Sequence, residues 1–96
     1  MKFIGNTLDV AKFLDRKIKF NEVIKSISTD TRSLKKYSLF IAIKGKNFDG
    51  NDFVNEALAK GSNIVIADNK RFNNNNNKRI LYVKNSIKAL RKISNK

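Results

Sequence analysis

The sequence predicts an α/β chain, a small three-layer domain with a mainly parallel sheet built from βαβ units. Three observations carry that expectation. "LFIAI" (39–43) and "NIVIA" (63–67) are apolar runs of strand length, the pattern of strands buried on both faces. Between them, "NDFVNEALAKG" (51–61) repeats Phe53, Val54, Ala57 and Leu58 at the helical period. Strand, helix and strand in that order make a βαβ unit.

Taken from the start, "NTLDVAKFLD" (6–15) predicts a short helix. Asn6 or Thr7 is its N-cap, and Leu8, Ala11 (with Val10) and Leu14 form its apolar stripe. "IKSISTDT" (24–31) predicts a strand ending near Asp30, followed by a turn at "SLKK" (33–36). After "LFIAI", Asn51 or Asp52 can cap the next helix and Gly61 can end it in the left-handed conformation. "DNKRFNNNNNK" (68–78) contains five consecutive asparagines with no apolar side chain to bury, so an exposed loop is expected. "RILYV" (79–83) predicts another strand. "SIKALRKIS" (86–94) predicts an amphipathic helix presenting Ile87, Leu90 and Ile93.

Residues 1–96 read as one domain, expected to continue into a longer polypeptide. With no cysteine and no histidine, disulfides, the usual zinc and haem sites and Ser–His or Cys–His nucleophile pairs are excluded. No stretch approaches the roughly 20 apolar residues of a membrane span, and the first residues lack a signal-peptide h-region. A cytoplasmic protein with no membrane partner is the expectation. The formal charge of +13 raises a nucleic-acid-binding module as the alternative reading. The lysines are scattered, however, and outnumber arginines sixteen to five, beside abundant Asn and Ile. Compositional bias and a solvated basic surface account for that better than a polyanion site.

Two stretches offer chemistry. In "STDTR" (28–32), Thr29 and Thr31 can hydrogen-bond a polar ligand and Arg32 can pair with phosphate. Alternatively, Asp30 and Thr31 organise a turn and Arg32 pairs with Asp30. In "GKNFDGND" (45–52), Phe48 can stack a base, Lys46 can screen phosphate charge and Asn47 can read a base edge. Alternatively, Asp49-Gly50 is an ordinary turn and Phe48 a hydrophobic plug before the helix. "KGK" (44–46) is no P-loop, because Phe40 and Asn47 stand where that motif needs Gly and Ser or Thr. No Gly-rich cradle for ATP occurs elsewhere.

Taken together, "STDTR … LFIAIKGKNFDGNDF … A … G" resembles the N-terminal domain of the Mur ligase family, over residues 27–66. It is most similar to the subgroup that adds D-alanyl-D-alanine to a UDP-muramyl tripeptide. There a T-D-S-R motif precedes a G-D-L-F-x-A-L-x-G strand and an F-D-G-H-D-F turn. This chain departs in three places: Thr31 replaces Ser, Tyr37-Ser38 replaces Gly-Asp, and Asn51 stands where the family prefers His.

The resemblance implies that the domain holds the UDP end of a UDP-N-acetylmuramoyl peptide during peptidoglycan precursor synthesis. Thr29, Thr31 and Arg32 would form one wall of the uridine site, and Lys46, Asn47 and Phe48 the other. Asp30, Asp49 and Gly50 would shape the turns, and N–H groups at the start of the 51–60 helix would favour the diphosphate. The resemblance implies no catalytic residue and no metal ligand here. ATP and Mg would belong to the central domain of the parent enzyme, acting in cis with a C-terminal domain, so this chain alone should ligate nothing.

Overall fold

A computed structural model describes residues 2–94. Five strands form one sheet in chain order: β1 (Lys2–Asn6), β2 (Val23–Ser28), β3 (Ser38–Ile41), β4 (Ser62–Ala67) and β5 (Ile80–Tyr82). β1 runs antiparallel to β2, and every later pair is parallel. The helices are α1 (Thr7–Phe13), α2 (Val54–Ala59) and α3 (Ser86–Ser94).

Alternation along the central strands makes three layers. Leu39 and Ile41 of β3 and Ile64 and Ile66 of β4 share a core with Val10 of α1 and with Ala89 and Ile93 of α3. The intervening Phe40, Ala42, Val65 and Ala67 share the opposite core with Val54 and Ala57 of α2. Successive side chains of a strand point to opposite faces, so two covered faces demand the continuous apolar runs seen in the sequence. One refinement concerns the crossovers. β3–α2–β4 is the one built on an α-helix; β2 reaches β3, and β4 reaches β5, through single 3₁₀ turns at Thr31–Ser33 and Lys70–Phe72.

Four details correct the sequence reading. β1 is an unanticipated edge strand, and its last residue, Asn6, is also the N-cap of α1. Asn6 Oδ1 accepts from the Asp9 N–H at 2.9 Å while Asp9 Oδ2 accepts from the Asn6 N–H at 3.0 Å, a capping box. The buried stripe of α1 is Thr7, Val10 and Ala11, and Leu8 is exposed. Thr7 tolerates full burial because its hydroxyl donates to Phe20 O at 2.8 Å and accepts from the Glu22 N–H at 3.0 Å. In α3 the buried positions are Ser86, Ala89 and Ile93, while Ile87 faces out.

The 51–60 helix begins as a 3₁₀ turn, Gly50–Phe53, and its capping side chain is Asp49 rather than Asn51 or Asp52. Gly61 does adopt the expected positive φ, at 105°. Tyr37, which departs from the resembled motif's Gly, keeps φ at 61°, in the left-handed region that glycine favours. Its N–H donates to Gly61 O at 3.3 Å, its carbonyl accepts from the Lys25 N–H at 2.7 Å, and the Lys25 ammonium lies 5.0 Å from its ring centre.

Candidate functional site

Because β2 to β5 are parallel, the segments following them all leave from the same edge of the sheet. That edge is where open α/β sheets place their ligands. Both stretches singled out in the sequence lie there: 29–32 follows β2 and 44–50 follows β3.

The first is organised around Asp30. Its carboxylate accepts from the Arg32 backbone N–H at 2.9 Å, from Nε at 3.1 Å and from Nη2 at 2.7 Å. These bonds to Arg32 hold the Asp30 carboxyl well below the usual carboxylate range, at about 2. Of the two readings of Arg32, pairing with Asp30 is therefore the observed one, while its side chain stays 88% exposed. Thr29 is exposed and Thr31 is buried. Lys60 Nζ donates to Thr31 O at 2.8 Å, tying this loop to the end of α2.

The second stretch is a tight reversal. Lys44 and Asp49 bridge in antiparallel fashion, the Gly45 N–H donates to Phe48 O at 2.6 Å, and the Gly50 N–H donates to Ile43 O at 2.9 Å. Lys46, Asn47 and Phe48 stand exposed at the tip. Phe48 stacks on Phe53 with ring centres 4.9 Å apart, yet remains 45% exposed. The half-buried Phe53, which packs against the α2 core, fills the plug position instead. Gly50 is obligatory at its place: a Cβ there would meet Ile43 N at 2.8 Å and Ala42 Cα at 3.0 Å.

At the start of the 51–60 helix two N–H groups are engaged within the chain. Asn51 N–H donates to Asp49 Oδ1 at 2.9 Å, and Asp52 N–H donates to Asp49 O at 3.1 Å. Cationic groups occur instead beside the first loop, where Lys2, Lys25, Lys35 and Lys36 line a cleft of about 430 Å³ with Ser28 and Ser33. Among the described residues no group of three metal-ligating side chains occurs.

Sequence reasoning missed the residue that ties this edge together. Asn51 is 2% exposed, and its carboxamide contacts the segments that follow β3 and β4. The only signal in the sequence was that Asn51 stands where the resembled motif prefers His.

The fold defines a small, mainly parallel α/β domain with two polar loops at one edge, and comparison with known proteins gives its family. The profile described as "Mur ligase family, catalytic domain" matches residues 23–96. The UDP-N-acetylmuramoyl-L-alanyl-D-glutamate–2,6-diaminopimelate ligase of Rickettsia prowazekii is 46% identical over 70 residues, covering 73% of this chain and 14% of the relative. The UDP-N-acetylmuramoyl-tripeptide–D-alanyl-D-alanine ligase of Bacillus subtilis is 36% identical over 72 residues, covering 75% and 16%. The crystal structure of the MurF ligase from Thermotoga maritima, in complex with ADP, superposes with a TM-score of 0.63 at 35% identity, over 72% of this chain and 16% of that one. MurF from Acinetobacter baumannii gives 0.72 over 95% of this chain and 20% of that one, at 23% identity, a likeness of fold alone. The chain belongs to the Mur ligase family, and its domain is of the N-terminal, MurF-like type. It spans about one seventh of the curated relatives it matches.

Proposed function

We propose that this chain holds the UDP part of a UDP-N-acetylmuramoyl tripeptide for an ATP-dependent, cytoplasmic ligase that adds D-alanyl-D-alanine to peptidoglycan precursors. The observation that carries the reading is the exposed tip Lys46–Asn47–Phe48, presented at the same sheet edge as Thr29 and Arg32 in a member of this family. The exposed part of the Phe48 ring offers a stacking surface for uracil. Asn47 brings both a donor and an acceptor to the edge of a base that presents both. Lys46 supplies positive charge for the diphosphate, the exposed side of the Asp30-paired Arg32 guanidinium supplies N–H donors, and Thr29 supplies a hydroxyl.

No proton transfer is asked of these residues. ATP and Mg, the carboxylate activation and the incoming dipeptide belong to the central and C-terminal domains of the whole enzyme under this proposal. Relatives of both the diaminopimelate-adding and the D-alanyl-D-alanine-adding kinds match the chain, and the "FDG" turn favours the second. The nucleic-acid alternative gains nothing from the family match or the fold.

Calorimetric titration of UDP-N-acetylmuramoyl tripeptide, with and without random-sequence RNA, tests the reading. Saturable binding that RNA does not displace is expected. Absence of binding up to millimolar ligand would contradict it. So would displacement by RNA with the steep salt dependence of phosphate-backbone contacts.

A further inference from the structure

We propose that Asn51 is the positioning residue of the 44–50 turn, the group that sets where Lys46, Asn47 and Phe48 are presented. The inference rests on the nucleotide reading above for its functional consequence, and on geometry for the rest. A carboxamide has two N–H donors and two acceptor lone pairs. In Asn51 all four are used. Nδ2 donates to Asp49 Oδ1 at 2.8 Å and to Asp68 Oδ1 at 3.0 Å. Oδ1 accepts from the Asp68 N–H at 3.1 Å and from the Asn69 N–H at 3.0 Å. The backbone carbonyl of Asn51 accepts from Arg71 Nη2 at 2.6 Å, and Arg71 also reaches Asp52 Oδ1 at 3.0 Å.

The network extends to both sides. Asp68 Oδ2 accepts from the Ser86 N–H at 3.0 Å, so the start of α3 joins the same cluster. Asp49, which caps the 3₁₀ turn and bridges Lys44, is the link to the presenting tip. One buried amide thus fastens the turn after β3 to the segment after β4, and through Asp68 to α3. Asn51 is too buried to meet a ligand itself, and so acts through the turn.

A neutral group with paired donors and acceptors suits this place. A carboxylate would bring a third negative charge beside Asp49 and Asp68 and offer no donor. A neutral imidazole has one donor and one acceptor, half the required set.

The test compares this chain with its Asn51→Ala and Asn51→His variants by amide hydrogen exchange and by affinity for UDP-N-acetylmuramoyl tripeptide. In Asn51→Ala the amides of Gly45 and Gly50 should exchange at least tenfold faster while those of Ile64–Ile66 keep their protection. Affinity should fall at least tenfold. Asn51→His, retaining half the bonds, should be intermediate in both, and it serves alone if the alanine variant does not fold. Unchanged exchange at Gly45 and Gly50 would overturn the proposal. So would unchanged affinity, or exchange that rises equally throughout β4. If the unaltered chain binds no nucleotide, the reading of the preceding subsection falls, and the ligand-free exchange comparison still decides whether Asn51 holds the turn.

Discussion

At the N-terminal end of the parallel strands, Arg79 grips Glu22 through two hydrogen bonds of 2.6 and 2.9 Å and donates to Asn63 O at 2.8 Å. At the C-terminal end the equivalent closure is the uncharged carboxamide of Asn51, bridging Asp49, Asp68 and Asn69. The first closure is about one-third exposed, and its charges stay partly solvated. The second is almost fully buried, where an unpaired charge would be costly and a fully bonded amide is not. One consequence is chemical. The C-terminal end is braced without using Lys46, which stays at the surface, while Arg32 is paired with Asp30 and keeps most of its side chain in solvent.

The contrast can be broken most strongly at Gly50. Gly50→Ala forces a Cβ against the backbone of Ala42 and Ile43, with no flexible side chain to give way. A loss of about 2 kcal/mol is expected from such overpacking, together with weakened nucleotide binding. Urea denaturation and the calorimetric titration check both.

At the other end, Tyr37→Gly relieves a left-handed tyrosine, which costs roughly 1–2 kcal/mol, against glycine's own entropic penalty of about 0.5–1 kcal/mol. A net gain of about 0.5 kcal/mol in thermal stability is expected, with nucleotide affinity unchanged. A change in affinity would mean that the two ends are coupled.

The smallest effect concerns Asp30. Its folded value of about 2 lies below that of an unpaired aspartate, so its contribution to stability is full above about pH 4 and is lost as pH falls through about 2. The pair is exposed, so the change in stability should be slight. An NMR titration of the Asp30 carboxyl should show the low midpoint, and Arg32→Ala should move it up toward the ordinary range.

The fold was legible where burial left only one option. "LFIAI" and the "IVIA" of 64–67 are apolar throughout because helices cover both faces of the sheet. β1 escaped notice because it is a short edge strand that merges into a helix cap at Asn6. In the stripes of α1 and α3, Val10, Ala11 and Ile93 are buried as expected, but Leu8 and Ile87 are exposed and the polar Thr7 and Ser86 beside them are buried. The 68–78 segment read as an exposed loop and is largely exposed, but its local order was not read: Asn69 caps the 70–72 turn and Asn75 Nδ2 donates to Phe72 O at 2.8 Å. At the site, Asp49-Gly50 announced a turn from local chemistry. The bracing role of Asn51 could not be read, because Asp68, Asn69 and Arg71 lie 17 to 20 residues further along the chain.

The central claim is that the C-terminal edge, and not the basic surface at large, receives a uridine nucleotide. Residue-resolved NMR during titration with UDP-N-acetylmuramoyl tripeptide tests it most directly. The account predicts that amides at 29–32 and 45–50 shift together on one binding curve while those of Glu22, Asn63 and Arg79 stay in place. Unmoved amides at 29–32 and 45–50, or shifts spread over the lysine-bearing surface, would contradict it.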